Sequence, residues 1–479
     1  MSGARWSSPL GGRYASPAMQ ELWGEAHRAG LWRRLWLALA ESEQALGLPV
    51  PDAALAEMRA HLDTVDLARA AEFERRFRHD VMAHVHAFGE QAPAARPFLH
   101  LGATSAFVTD NADLVVIRDA LRLVLGRLVG TLEALAEFAR RHAALPCLAY
   151  THFQPAQLTT VGKRATLWMQ DLALDVEEVL RRLETLRFRG CQGTTGTQAS
   201  FLELFGGDHA RVRELERQVA ARMGFDAAFA VTGQTYPRKL DSMVLDALSG
   251  VAQSAAKFAA DLRLLQHEGE LLEPFEAEQI GSSAMAYKRN PMRAERIGAL
   301  ARFVISLQAN GAHTAAAQWL ERTLDDSANR RLSLPESFLA TDAILLLAGN
   351  IAAGLEVREP VIARHVAAQM PFMATERWLM LGTAAGGDRQ ELHEVVRRHS
   401  LAVAEAVSRG EPNDLLARLA AAPEFAGVPA AALQAELEPA RYVGRAPEQV
   451  GEFLAEFLEP LLARARPVMS RPGPAEIRV

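Results

Sequence analysis

The sequence predicts an all-α protein with three helical domains, the central one a bundle of long helices. Apolar residues recur at heptad spacing in five runs of the chain, and no run shows the alternation of a half-buried strand. A repeat of about 3.5 residues is typical of helices that pack at shallow angles. Thirty helical residues span roughly 45 Å, which is longer than most helices of globular proteins.

Each of the five runs supplies one apolar seam of a predicted bundle helix. In chain order the seams cover residues 114–138, 165–186, 244–265, a run that starts at 297, and 338–352. The first hundred residues instead predict shorter helices, one over 32–46 and one over 71–88. Beyond residue 357 frequent prolines shorten the pattern again. We therefore predict an N-terminal domain over 1–105, the central bundle over 106–357 and a C-terminal domain over 358–479.

Composition limits the classes of function. The chain has 479 residues, 49% of them hydrophobic, and a formal net charge of −6, which disfavours a general nucleic-acid surface. Its two cysteines, Cys147 and Cys191, imply no disulfide framework. The N-terminus lacks the apolar core of a signal peptide, and the most apolar stretch, 343–355, is too short to span a bilayer. We expect a cytoplasmic protein without membrane contact.

Polar motifs fall in the breaks between the predicted bundle helices. If successive helices alternate in direction, the breaks at His152 and Ser282 lie at one end of the bundle. Those at Thr104, Gln234 and Arg322 lie at the other end, roughly 40 Å or more away. Either each chain carries two sites, or neighbouring chains pack antiparallel and share sites. The exposed heptad seams favour shared sites.

The segment GSSAMAYKRNPMRAER, residues 281–296, joins two of these helices and places serine beside positive charge. A serine hydroxyl works as a base only where its alkoxide is stabilised. Lys288, Arg289, Arg293 and a helix N-terminus near Pro291 are expected to supply that field. The P-loop spacing is absent. The alternative interpretation is a Ser/Gly hinge loop beside a solvated basic patch.

Histidines offer further candidates. If RFRHDVMAHVH, residues 76–86, is helical, His79 and His86 share a face and the spacing fits no metal ion. Arg78 and Asp80 flank His79, and this triplet suits contact with a substrate anion. His152 follows a helix end and precedes a Gln-Pro pair, so we expect it in a rigid turn, where it could act as a general acid. Ordinary surface or core histidines remain the alternative for all of these positions.

The motifs together resemble those of the fumarase/aspartase superfamily. GSSAMAYKRNP is similar to the superfamily signature, and RYASPAM, HLGATS, THFQPAQLTTVGKR, TGQTYPRK and ERTLDDSANRR resemble the members that release fumarate from succinylated purine nucleotides. The resemblance runs from about residue 8 to about residue 468. It implies a long-helix bundle, trans β-elimination, no cofactor or metal ion, and a homotetramer whose sites each draw on three chains.

The resemblance also implies a role for each matching position. Ser282 would take a proton from the carbon beside a succinyl carboxylate, Lys288 and Asn290 would hold the resulting dianion, and His152 would protonate the departing nitrogen. His79 would assist His152, and Glu295 would orient the site. The succinyl and base portions of the substrate would be held by Thr104, Ser105, Thr151 and Gln234. The nucleotide, mainly its phosphate, would be held by Arg13, Tyr14, Arg296, Arg322, Ser327 and Arg331.

One departure and two alternatives stand beside this interpretation. The signature proline after Met285 is Ala286 here, which puts loop closure and turnover in doubt. A sister lyase acting on argininosuccinate, aspartate or malate is disfavoured, because those substrates have no phosphate for the arginines. A structural protein that keeps only the fold is disfavoured by the presence of Ser282, Lys288 and His152.

Overall fold

The computed structural model describes residues 6–471 and residue 473. Its N-terminal part opens with a short π-helical segment, Leu10–Tyr14. Five helices follow: α1 (Pro17–Leu22), α2 (Glu25–Ala45), α3 (Asp52–Ala60), α4 (Leu67–Phe77) and α5 (Asp80–Gln91). The Ser16 hydroxyl accepts a hydrogen bond from the Met19 amide at 3.2 Å and so fixes the start of α1.

The helix predicted over 71–88 is two helices, and that prediction is wrong. Arg78 ends α4 in the left-handed region with φ 57°. His79 then caps α5, and its Nδ1 atom accepts from the Met82 amide at 3.4 Å. His79 and His86 therefore do not lie along one continuous helix. The apolar pattern continues across the break, so it gave no sign of a turn.

The central bundle confirms the five predicted long helices. They are α6 (Ser105–Arg141), α7 (Val161–Thr185), and, after the short helices α8 (Ala199–Leu204) and α9 (His209–Arg222), α10 (Lys239–His267), α11 (Met292–Ala317) and α12 (Asp326–Gly354). α7 and α10 run in opposite directions. Trp168 near the start of α7 donates to Asp261 near the end of α10 at 2.8 Å, and Asp175, further along α7, lies against Gly250, earlier in α10. A Cβ atom on Gly162 would lie 2.4 Å from the Ala139 carbonyl oxygen, so α6 and α7 meet closely only because that residue is glycine.

Short strands occur where no strand was expected. β1 (Pro146–Thr151) and β2 (Gln154–Thr160) form an antiparallel hairpin, and β3 (Leu271–Leu272) pairs with β4 (Glu356–Val357). Residues 151–157 are all exposed, so the outer half of the hairpin has no buried face. Apolar and polar residues alternate along a strand where one of its faces is buried. The sequence therefore gave no sign of this hairpin. The all-α class is nevertheless confirmed.

The C-terminal part comprises α13 (Glu359–Met373), α14 (Thr375–Ala384), α15 (Arg389–Ser408), α16 (Leu415–Ala420), α17 (Ala430–Ala435), α18 (Ala446–Glu452) and α19 (Glu459–Ala465). Trp378, Leu392 and Phe425 belong to a second hydrophobic core, whereas Val450 and Leu462 join the main core. The last two helices thus return to the bundle, where they contact α7. The division into three domains, with its two boundaries, remains a prediction.

By length and composition α12 could cross a membrane, and it is the one such helix within residues 6–471. The expectation that the apolar stretch is too short was wrong, because the helix extends to Asp326 and has 29 residues. Its most apolar window is 67% buried inside the protein, as in the core helix of a bundle. Cys147 and Cys191 are buried free thiols.

Glu43 on α2 is a buried acid that makes stability depend on pH. Its side chain is 0% exposed, and neither carboxyl oxygen has a hydrogen-bond partner within the described part of the chain. Burial raises its pKa from 4.5 to about 8. Between these values the folded protein holds a proton that the unfolded chain releases, so stability declines as pH rises from about 4.5 to about 8.

Replacing Glu43 by glutamine is therefore expected to stabilise the protein at pH 8. The amide mimics the protonated acid without the cost of keeping the proton, and we expect the unfolding midpoint to rise by about 2–4 °C. Near pH 5 the gain should almost vanish. Thermal unfolding at both pH values measures this, with Glu424→Gln at an exposed position as the control. An equal gain at both pH values would contradict the explanation.

Candidate active site

The candidate residues gather at three places on the chain. A cleft at one end of the bundle holds most of them, and the tip of the β1–β2 hairpin and the loop before α11 hold the rest. α10 connects Gln234, which lines the cleft, to the loop that contains Ser282. Its 29 residues separate these places by about 43 Å. The predicted division of the polar motifs between two ends is confirmed.

The cleft has a volume of about 720 Å³ and lies between the N-terminal helices and the ends of α6, α10 and α12. Eight of the predicted residues line it: Arg78, His79, Asp80, Ser105, Gln234, Arg322, Ser327 and Arg331. Thr104, the N-cap of α6, immediately precedes Ser105. Arg331 contacts Asp80 at 3.4 Å. The cleft lining holds six arginines and six carboxylates, several of them ion-paired with one another, together with the start of α12. Arginines beside a helix start suit an anionic ligand.

The imidazole of His79 is held on both sides. Because Nδ1 accepts from the Met82 amide, the proton lies on Nε2, which is 3.3 Å from the Ser105 hydroxyl. The break between α4 and α5 makes this possible, since an N-cap residue directs its side chain back over the helix start. The tautomer leaves His79 as a donor toward the cleft.

A buried network of ion pairs forms the cleft floor, and the sequence analysis missed it. Arg238 binds both oxygens of Asp110 at 3.1 Å and Asp326 at 2.6 Å. Arg330 binds Asp241 at 2.6 Å and Asp113 at 3.0 Å. Burial alone would raise the pKa of Asp110, but the two arginines hold it below its usual value. Such pairs come from distant segments, so no local spacing could reveal them.

Gln234 is fixed by its neighbours. Its amide nitrogen donates to the Glu321 carbonyl at 2.9 Å, and its side-chain Nε2 donates to the Thr194 carbonyl at 3.1 Å. The buried guanidinium of Arg189 ties the Gln234 carbonyl to that of Gly193, at 3.0 and 2.7 Å. The loop of residues 193–200, GTTGTQAS, therefore orients Gln234, whose side-chain oxygen can accept a hydrogen bond from a ligand.

His152 lies at the tip of the hairpin. Thr151 pairs with Gln154, so the turn has two central residues, His152 and Phe153, and their φ angles are 51° and 59°. Such a turn normally contains glycine or asparagine. Left-handed backbone costs roughly 1–2 kcal/mol for other residues. Backbone strain of this kind is concentrated at functional sites. Here the strained turn leaves the His152 side chain exposed to solvent.

Ser282 lies in the loop before α11, and its surroundings differ in part from expectation. Its Oγ accepts from the amides of Ala284 and Met285 at 3.3 and 3.1 Å. Asn290 donates to the Gly281 carbonyl at 2.8 Å and closes the loop, and Lys288 is exposed. Backbone amides therefore support the serine oxygen directly, as an alkoxide would need.

The helix N-terminus and Arg293 do not supply the field predicted for Ser282. α11 begins at Met292, as expected, but the Glu273 carboxylate accepts from the Arg293 and Ala294 amides, each at 3.0 Å. The Arg293 side chain is buried and bound to Glu276 at 2.6 Å. A carboxylate thus occupies the positive end of the helix, and of these groups only Lys288 and Arg289 remain on the exposed face of the loop.

The residues predicted to hold the nucleotide are divided within one chain. Arg322, Ser327 and Arg331 line the cleft, whereas Arg13, Tyr14 and Arg296 lie at the loop end. The Arg296 guanidinium stacks over the Tyr14 ring at 5.3 Å. Glu295 ends the first turn of α11 and is exposed, and Arg296 follows it. A site that needs both groups must draw on more than one chain.

The family models first define the class of protein. A model described as Lyase matches residues 41–306, and one described as Adenylosuccinate lyase C-terminus matches residues 371–453. The fold is similar to that of a 3-carboxy-cis,cis-muconate lactonizing enzyme from Pseudomonas putida, with a TM-score of 0.79 and 23% identity over 95% of this chain and 98% of that one. It is also similar to that of a fumarate lyase from Mesorhizobium sp. BNC1, with a TM-score of 0.76 and 24% identity over 94% of this chain and 98% of that one.

Curated relatives then define the particular family. Adenylosuccinate lyase of Schizosaccharomyces pombe is 48% identical over 462 residues, 96% of each chain. The Saccharomyces cerevisiae protein of that name is 50% identical over 453 residues, 94% of each chain, and that of Pyrococcus horikoshii is 31% identical over 95% of this chain and 99% of its own. This chain belongs to the adenylosuccinate lyase family.

Ala286 permits a direct test of loop mobility. The Ala286 amide donates no backbone hydrogen bond within residues 6–471, so proline there would break none. We expect Ala286→Pro to change kcat or KM by a few-fold. A fixed φ reduces the number of open conformations of the loop, and this loss of backbone entropy is worth about 0.4–1 kcal/mol. Steady-state kinetics on the succinylated purine nucleotides that the resemblance implies as substrates measure this. Complete loss of activity would show that this backbone cannot accept the signature proline.

Proposed function

We propose that the protein cleaves adenylosuccinate to AMP and fumarate, and succinyl-aminoimidazole-carboxamide ribotide to aminoimidazole-carboxamide ribotide and fumarate. The observation that carries the proposal is the cleft with its six arginines, in which His79 is hydrogen-bonded to Ser105. The cleft belongs to a chain of the adenylosuccinate lyase family. A nucleotide phosphate and two succinyl carboxylates require such a set of cations. We place the enzyme in the cytoplasm.

In the proposed reaction the alkoxide of Ser282 removes a proton from the carbon next to a succinyl carboxylate and becomes the hydroxyl. The electron pair of that C–H bond is delocalised into the carboxylate, and the dianion is held by Lys288, Asn290 and the loop amides. The pair then forms the fumarate double bond as the C–N bond breaks. His152 gives a proton to the departing nitrogen. The amides of Ala284 and Met285 stabilise the serine oxygen while it carries charge.

The proposed assembly is a homotetramer with shared sites. The tip of the β1–β2 hairpin and the Ser282 loop lie about 43 Å from the cleft. One chain cannot bring all three to one small substrate over that distance. Apolar side chains are exposed along the bundle, among them Leu167 and Leu174 on α7, Leu264 on α10 and Leu332 on α12. Exposed apolar surface of this kind suits contact with further copies of the chain. Native mass measurement tests this, and a fully active monomer would overturn it.

Purified protein with adenylosuccinate tests the proposed activity. Ultraviolet absorbance follows loss of the substrate, and a coupled assay measures fumarate. Argininosuccinate serves as the matched control, because it releases fumarate from a related lyase but carries no phosphate. Fumarate from adenylosuccinate alone supports the proposal. Fumarate from argininosuccinate alone would assign the chain to the sister reaction.

A further inference from the structure

A polar cluster lies at the base of the β1–β2 hairpin, away from the cleft. We call Cys147, Tyr150, Arg164, Glu270 and His365 the hairpin-base cluster. Glu270 is 0% exposed on its side chain, and its Oε1 atom lies 2.8 Å from Nδ1 of His365. Burial, and then the Glu270 charge, raises the pKa of Tyr150 to about 12. The Glu270 carboxylate therefore lies close enough to β1 to act on a side chain of that strand.

Arg164 completes the cluster with the opposite charge. It lies in the first turn of α7, and its Nη2 atom donates to the Leu148 carbonyl of β1. Its charge lowers the pKa of Tyr150, against the effect of Glu270. The Nη1 atom of Arg164 and the Oε2 atom of Glu270 are buried without a hydrogen bond in the described part of the chain. Two charges thus flank the strand that ends at Thr151 and leads to His152.

Glu270 also stands at the root of the Ser282 loop. Its carbonyl accepts from the Arg358 amide at 2.8 Å, next to the pairing of β3 with β4. Three residues later Glu273 caps α11, at the far side of that loop. His365 lies on α13, which packs against β1. One buried carboxylate therefore joins the root of the Ser282 loop to α13, the helix that packs against the strand before His152.

Stability alone does not account for this arrangement. A buried pair of acid and base contributes little net stability compared with well-packed apolar residues. Its directional hydrogen bond instead fixes the relative position of the elements it joins. The hydrogen bond joins the root of the Ser282 loop to α13, and α13 packs against β1, the strand that leads to His152. Ser282 and His152, to which the proposed reaction assigns proton transfers, stand on an exposed loop and a strained turn.

We propose that Glu270 and His365 are positioning residues for the elimination reaction. The pair fixes the root of the Ser282 loop against α13, which packs against the strand leading to His152, so that each element keeps its place for the site to which it contributes. Neither residue touches the substrate. The inference rests on the proposed function. A displacement of about 1 Å in a catalytic group can reduce the rate by up to about 10²-fold. Loss of the pair should therefore lower kcat and leave KM nearly unchanged.

Three variants and one control test the role. His365→Leu removes the donor, His365→Gln retains one, and Glu270→Gln removes the charge. Glu268→Gln changes an exposed acid two residues away and serves as the control. Kinetics with adenylosuccinate, well below each unfolding midpoint, should show kcat about tenfold lower for His365→Leu and Glu270→Gln, with KM within about threefold. His365→Gln should recover much of the loss, and Glu268→Gln should match the wild type.

Two results would overturn the inference while leaving the proposed function intact. One is an active wild-type enzyme whose His365→Leu and Glu270→Gln variants keep kcat within twofold. The other is a kcat loss that His365→Gln shares in full, which would show that the hydrogen bond has no part in it. If His365→Leu fails to fold, the kcat values of Glu270→Gln and His365→Gln still test the inference. A wild-type protein that releases no fumarate would overturn the proposed function and this inference with it.

Discussion

Ser282→Ala is expected to abolish elimination while substrate binding persists. The Ser282 oxygen accepts two backbone amides in a loop that also holds Lys288, an arrangement that favours its alkoxide. Removing a general base lowers kcat by about 10²–10⁴-fold. The hydroxyl is needed for proton removal and contributes little affinity, so the Kd for adenylosuccinate should stay within a few-fold. Single-turnover kinetics and calorimetry measure the two quantities separately.

Ser283→Ala is the matched control. Ser283 neighbours Ser282, is exposed and lies in the same loop. Its variant should retain most of the activity. If Ser282→Ala kept activity within tenfold of the wild type, the assignment would be wrong and Ser283 would become the candidate. Unchanged unfolding midpoints in both variants would show that the loss is chemical.

Complementation should restore activity to two inactive variants. His152→Asn removes the acid but suits the left-handed turn, because asparagine tolerates positive φ. Co-expressed with Ser282→Ala, it can form tetramers in which one site combines an intact hairpin with an intact loop from another chain. With random assembly each element is intact in half of the chains, so about a quarter of wild-type activity is expected.

The control for complementation uses two changes in the same loop. Co-expression of Ser282→Ala with Lys288→Ala leaves every loop with one defect, whichever chains assemble. No activity should return in that case. Recovery in the control would mean that Ser282 and Lys288 act from different chains. Absence of recovery with His152→Asn would contradict the sharing of hairpin and loop between chains.

The sequence by itself determined the bundle and the places where chemistry can occur. Heptad spacing depends on local periodicity, and it specified five long helices because each buries one continuous seam. Polar motifs interrupt those seams, so their assignment to helix ends followed from chain order and helix length. The residue types in the motifs also carried the resemblance to a family. All of these are properties of neighbours along the chain.

Tertiary structure alone decided how the candidate residues are held. The strained turn at His152 depends on the pairing of β1 with β2, and the helix break at Arg78 places His79 against Ser105. Glu273 takes the α11 amides that we had expected to act on Ser282. These contacts join residues that are distant in sequence or lie at irregular backbone. Local periodicity reports only the burial of one face, so such contacts were beyond what the sequence could specify.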